Sequence, residues 1–248
     1  MRGSEIAIKT SRLRKVFDNI VAVDDIDLDI RVGSITALLG GNGAGKTTTM
    51  AMLLALLQPT SGDIFLLGKN LLQERATIAR NINFSSPYVD LPNRLTVRQN
   101  LTVYGHMYGV ENLKQRITTL SDQLHITELL DRKHGTLSAG QRTRATLAKS
   151  LLNKPRLLLL DEPTASLDPD TADWVRTLLQ AYCKAEGATI FMASHNMYEV
   201  ERMCDDVIVM QRGRVVDRGS PKKLIETYSR ENLEEVFLDI ARNRNAAT

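Results

Sequence analysis

Cysteine is scarce in this chain, and its spacing is wrong for the usual work of paired thiols. There are two, Cys183 and Cys204, with neither a C-x-x-C pattern nor a nearby histidine partner. That points to two reduced thiols and leaves a disulfide or metal site as the lesser alternative. Long apolar runs are missing as well. The longest, residues 51–57 and 157–160, fall far short of the roughly 20 residues that cross a bilayer. The opening MRGSEIAIKT has no apolar signal core. Any service to a membrane is therefore expected from the cytosolic side, through a partner and without a covalent anchor. A charge excess of one sign is lacking too: 32 Lys+Arg stand against 29 Asp+Glu, a net +3, too little to make nucleic acid the main partner. No internal repeat, low-complexity tract or sustained heptad is visible.

What remains is an ordinary globular composition, 43% apolar and 25% charged over 248 residues, enough for one large or two small domains with a real core. Residues 35–39, 157–160, 189–193 and 207–210 are continuous apolar runs, the mark of strands buried on both faces. Helical patterns such as 173–183 lie between them. The alternation predicts an α/β fold with a mainly parallel sheet. Residues 5–16, 23–30 and 63–67 add antiparallel features, and 207–210 with 215–217 flank a hairpin turn at 211–214. Residues 94–149 show helical spacing only: Leu95, Val97, Leu101 and Tyr104, then Ile117, Leu120 and Leu124. They read as a helical subdomain inserted between two halves of the sheet domain.

The sharpest motif is Gly40-Gly41-Asn42-Gly43-Ala44-Gly45-Lys46-Thr47, which fits G-x-x-x-x-G-K-[ST]. A buried strand precedes it, and residues 48–57 read as a helix stopped by Pro59. Glycines let backbone N–H groups crowd an anion, and the helix N-terminus that includes Thr48 adds donors and a positive dipole. Lys46 brings a charge to the outer phosphates, and the Thr47 hydroxyl suits Mg²⁺. The strand at 157–160 runs into Asp161-Glu162. Asp161 suits a second Mg²⁺ contact, and Glu162 could take a proton from attacking water. Two solvated acids at a strand end is the plain alternative. His195 follows another buried strand at the edge where ligands bind in such sheets. It could sense the γ-phosphate and orient Glu162, or it could be merely structural.

Leu137-Ser138-Ala139-Gly140-Gln141, followed by a helical run, resembles the signature of the ABC ATPase family, LSGGQ, with Ala139 in place of the first glycine. The resemblance covers nearly the whole chain. Ala165-Ser166-Leu167-Asp168 is similar to the family's D-loop and Ser194-His195 to its H-loop. Phe17 stands where an aromatic residue stacks on adenine, with core packing as the alternative. The resemblance implies a P-loop fold of ABC ATPase type, with an antiparallel β subdomain and an inserted helical subdomain. It implies ATP and Mg²⁺ as ligands and a head-to-tail pair of chains. In that pair Ser138, Ala139, Gly140 and Gln141 of one copy, with Asp168, complete the nucleotide site of the other. It also implies a separately encoded membrane permease and a place on the cytoplasmic face of the membrane.

Two positions depart from the family pattern. The usual glutamine at the hinge between lobes is absent, with Ser86-Pro87 in its place, which puts the Mg²⁺ geometry and the coupling in doubt. Gly41 replaces the usual proline, which should loosen the loop. Leu233, Val236, Phe237 and Ile240 make one apolar helical face near the C-terminus. That face either packs on the chain's own sheet domain or makes a dimer contact, and the residues beyond 240 read as frayed. The LEEVFL ending looks like those of drug, lipid or polysaccharide exporters.

The expectation is thus one ATPase domain over 1–248. Residues 1–86 and 150–228 form the sheet core, 87–149 the helical subdomain, and 229–248 a closing helix and tail. An ABC ATPase without a membrane partner, acting in translation or DNA repair, is the rival reading. A non-hydrolysing ATP-binding regulator and a nucleoside kinase are weaker ones.

Overall fold

A computed structural model describes residues 5–86, 89–165 and 167–243. In chain order its strands are β1 (Ile6–Phe17), β2 (Ile20–Arg31), β3 (Ile35–Leu39), β4 (Ser61–Leu66), β5 (Lys69–Asn70), β6 (Ile82–Ser85), β7 (Leu157–Asp161), β8 (Thr189–Ser194), β9 (Asp206–Gln211) and β10 (Arg214–Gly219). Its helices are α1 (Lys46–Leu53), α2 (Arg75–Ala79), α3 (Val97–Met107), α4 (Leu113–Gln123), α5 (Ala139–Leu151), α6 (Pro169–Glu186), α7 (Met197–Met203), α8 (Pro221–Tyr228) and α9 (Leu233–Asn243).

Six strands form one sheet in the order β10-β9-β3-β8-β7-β6, and four form another in the order β2-β1-β4-β5. Within the six, β3, β6, β7, β8 and β9 pair in parallel, and β10 turns back antiparallel on β9. The four-stranded sheet is antiparallel throughout.

The apolar runs explain why the parallel strands lie at the centre. Side chains alternate between faces with period 2. Leu158 and Leu160 of β7 and Ile190 and Met192 of β8 enter one core with α5 and α6. Leu157, Leu159, Phe191 and Ala193 enter a second core with α1 and the antiparallel sheet. Both faces being covered, every residue of β7 is buried, and an alternating polar pattern would have no solvent side to occupy.

The helix after the glycine-rich loop differs from the expected 48–57. It starts earlier, at Lys46, and ends at Leu53. Ala55 takes a left-handed conformation (φ +53), while Leu56 N donates to Ala51 O and Ala55 N to Met52 O. This pair of bonds satisfies the last carbonyls and stops the helix before Pro59 can.

Between β6 and β7 the described residues carry three α-helices and no strand, only an isolated bridge from Thr96 to Lys133. α3 and α5 each open on a capping box, Thr96 with Gln99 and Ser138 with Gln141. The closing helix lays Leu233, Val236 and Ile240 into the core beside α7 and α8. It packs on its own chain and continues to Asn243, past the expected fraying point; residues 244–248 lie outside the described residues. Both cysteines are free and buried. Among the described residues no helix is long and apolar enough to cross a membrane.

Candidate functional site

Four strand ends line up along the carboxyl edge of the parallel sheet. In the spatial order β3, β8, β7, β6 they lead into the glycine-rich loop, Ser194-His195, Asp161-Glu162 and Ser86. Neighbouring strands lie about 4.8 Å apart. The sheet alone therefore sets the loop, the histidine, the acids and the serine in a row roughly 14 Å long.

The loop is closed from behind. Gly45 caps α1 with φ +103, and a Cβ there would stand 2.6 Å from Ala22 O of β2, so glycine alone fits. Gly213 N donates to Ala44 O (3.0 Å) and Asp24 N to Gly213 O (2.8 Å), pinning the loop between two hairpins. Lys46 Nζ donates to Gly40 O (2.6 Å) and Gly41 O (3.2 Å), which holds the ammonium over the loop. Burial lowers its pKa, and the charges of Glu162 and Asp161 oppose that. Asn42, Gly43 and Thr47 are exposed, while Thr48 is half-buried. Phe17 ends β1 at the same hairpin that brings Ala22 to Gly45. It is 44% exposed, with Lys15 Nζ 5.0 Å from its ring centre. It therefore does not pack in the core.

Asp161 is buried, and burial pushes its carboxyl pKa up. The Ser86 hydrogen bond lowers it, Glu162 raises it, and Lys46 lowers it. Ser86 Oγ donates to Asp161 Oδ2 over 3.3 Å. Pro87 lies outside the described residues, as does Ser166 of the following loop. Glu162 adopts a left-handed backbone (φ +49) and donates from its N–H to Ala193 O (2.9 Å). His195 Nδ1 sits 2.6 Å from Glu162 Oε1, the histidine 68% and the glutamate 12% exposed. A carboxylate in contact with an exposed imidazole beside a phosphate-shaped loop is placed to take a proton from water and to hold its direction.

Ser138 and Gln141 sit elsewhere. Ser138 Oγ accepts from Gln141 N (3.4 Å), and Gln141 Oε1 accepts from Ser138 N (3.0 Å). Among the described residues, no hydrogen bond links Ser138–Gln141 to the glycine-rich loop. Ala139 instead lines a cleft of about 240 Å³ with Ser86, Arg142, Asp161 and Glu162. Asp168 caps α6, accepting from Thr171 N (3.0 Å); that bond is the main reason its pKa is lowered.

With this geometry in place, comparison with known proteins is decisive. A family model described as ABC transporter matches residues 23–165. The chain belongs to the ABC transporter family. It is an ATP-binding chain with the family's ATPase activity. It is 34% identical over 236 residues to the Nod factor export ATP-binding protein I of Rhizobium sp. (strain N33), covering 94% of this chain and 77% of that one. It is 34% identical over 222 residues to the ABC transporter ATP-binding protein NatA of Bacillus subtilis (strain 168), covering 88% and 90%. Among solved structures, cbiO1 of Clostridium perfringens, part of the ABC transporter complex cbiONQ, matches with a TM-score of 0.81 at 30% identity, over 90% and 91% of the two chains. A dimeric ATP-binding cassette in a post-hydrolysis state with ADP and Pi shares the fold, with a TM-score of 0.77 at 21% identity over 86% and 98%.

Within this ABC ATPase the departure at Ala139 has a physical reason. Ala139 is the first residue of α5, after an extended Ser138. Alanine enters a helix without the extra conformational entropy that glycine loses. The sequence reading missed two side chains near the site. Arg142 lines the cleft beside the acids, and Glu199 lies buried behind His195. Glu199 had a faint signal, an acid four residues past a candidate histidine at the start of a helix.

Proposed function

We propose that this ATPase is the engine of an export system, dimerising on MgATP to drive a separately encoded permease from the cytoplasmic face of the membrane. One observation carries it: Glu162 and His195 touch at 2.6 Å on adjacent strands, next to a strand that opens into the glycine-rich loop. In this reading the loop from Gly40 to Thr48 cradles the phosphates, Phe17 stacks on adenine, Glu162 activates water, and His195 senses the γ-phosphate. Residues 1–86 and 150–228 act as the sheet lobe, 87–149 as the helical lobe, and 229–248 as a closing helix and tail.

The residues fit Mg²⁺. That ion holds few protein ligands alongside phosphate and water, and Asp161 is a buried carboxylate whose neighbours reduce its burial cost only in part. Thr47 and Asp161 would hold the ion, which when bound would neutralise charge on the β- and γ-phosphates. Ser138 and the start of α5 offer a second anion-binding end. Among the described residues no hydrogen bond joins it to its own chain's loop, and in this reading a second copy turned head to tail supplies the contact. The dimer is seen in the cassette bound to ADP and Pi, and cbiO1 belongs to a larger transporter complex. Export is favoured by the relatives that serve Nod factor export.

The test uses Glu162→Gln. Phosphate release should fall at least a hundredfold, and with saturating MgATP the variant should elute as a dimer where the nucleotide-free protein does not. Equal phosphate release in both proteins would sink the catalytic assignment. A Glu162→Gln protein that stays monomeric with MgATP, alone and with its permease, would sink the paired site.

A further inference from the structure

Behind the Glu162–His195 pair lies a carboxyl group that hydrolysis, as read above, does not use. Glu199 is 1% exposed. It sits in the first turn of α7, four residues past His195. The Ser194 hydroxyl donates to its Oε2 over 3.3 Å, while Oε1 is buried without a hydrogen-bond partner. Burial pushes its pKa up; Thr164, Ser194 and Arg176 pull the other way, and Glu162 adds to the rise. A buried carboxyl with one bare oxygen is costly to keep, which marks it as held there for more than solvation.

The bonds around Glu199 form a ring that encloses His195. Ser194 Oγ, besides donating to Glu199, accepts from Asn196 N (3.0 Å), and Asn196 Oδ1 accepts from Glu199 N (3.1 Å). Ser194, on one side of His195, is thereby held by the Glu199 carboxyl, and Asn196, on the other, by Ser194 and by the Glu199 backbone N–H. The imidazole itself is 68% exposed. No packing fixes its direction, so the backbone beneath it must.

We propose that Glu199 is a positioning residue for hydrolysis: its buried carboxyl holds the Ser194 hydroxyl, and with it the turn that aims the His195 imidazole at Glu162. Misdirecting a catalytic contact by about 1 Å costs on the order of a hundredfold, and loss of one tie among several should cost about tenfold.

The inference rests on the hydrolytic reading, and the experiment separates the two. In the full chain, Glu199→Ala should lower kcat about tenfold and leave the dissociation constant of a fluorescent ATP analogue unchanged. Glu199→Gln, whose amide oxygen can still accept from the Ser194 hydroxyl, should keep kcat within about threefold. Ser194→Ala cuts the same tie from its other end and should match Glu199→Ala, with no further loss in the double variant. Parental kcat in Glu199→Ala would overturn the proposal, as would a Glu199→Gln protein as slow as the alanine variant. If Glu199→Ala does not fold, parental kcat in Ser194→Ala overturns it. A parent chain with no ATP turnover at all would instead overturn the hydrolytic reading beneath it.

Discussion

Raising the pH from 7.5 to 9.5 should stabilise this protein through a single lysine. Lys149 ends its side chain between the two lobes, donating to Phe84 O (2.9 Å) and Asn83 Oδ1 (3.4 Å) and lying 5.6 Å from the Tyr104 ring centre. No carboxylate pairs with it among the described residues, and burial pulls its pKa from 10.5 to about 8. In the unfolded chain the amine keeps its proton up to about 10.4. Between those values the unfolded chain binds more protons than the folded one, so stability rises with pH. Integrated from pH 7.5 to 9.5, the gain is about 2 kcal/mol. With a urea slope of about 3 kcal/mol per molar, the midpoint should climb by about 0.7 M.

Other groups work in the opposite direction. Burial raises the thiols Cys183 and Cys204 and pushes Tyr108 up to about 12, so each weakens the fold as pH rises through its unfolded value. These terms are common to the parent and to Lys149→Met. The assay is therefore the difference: urea midpoints of both proteins at pH 7.5, 8.5 and 9.5. The parent should gain on the variant by the full 0.7 M or so. A constant gap between the two across this range would refute the buried-ammonium account.

Two further outcomes follow from the site. Phe17→Ala should weaken ATP binding up to tenfold, on the order of 1 kcal/mol, with kcat and melting temperature held; a fall of several degrees in melting temperature would restore the core-packing alternative. Asp161→Asn should abolish turnover yet melt higher than the parent, because its folded pKa is raised and the ionised form is disfavoured by folding at neutral pH; a lower melting temperature would refute that sign.

The central sheet was legible because its strands are buried on both faces. A run such as residues 157–160 has few other places to go, and its neighbours at 35–39 and 189–193 carry the same mark. The glycine-rich loop was legible because close backbone approach leaves only glycine at Gly45. Two edge strands, β5 and β6, were not. β6 is a four-residue strand of mixed burial, too short to show a period, and its place is decided by pairing with β7 across the intervening residues 86–156. The end of α1 was misjudged because its stop lies in the left-handed Ala55, a conformation that alanine rarely advertises. Glu199 stayed hidden for a related reason: an acid on a short helix looks solvated until the fold closes over it.

The row of strand ends also explains why the hinge tolerates serine. Ser86 leaves β6 one strand spacing from Asp161, and a side chain as short as serine spans the gap with a 3.3 Å hydrogen bond. α5 packs against the same strand. Its Lys149 grips the carbonyl of Phe84, two residues before Ser86, while its N-terminal Ser138 forms the capping box with Gln141. One helix thus holds, at its far end, the strand whose exit bonds to the buried acid, and at its near end the anion-binding cap. α5 is a single 13-residue helix, so the Lys149 contact to β6 and the Ser138 capping box belong to one continuous element, and the Lys149 ammonium is the part of it that pH can reach.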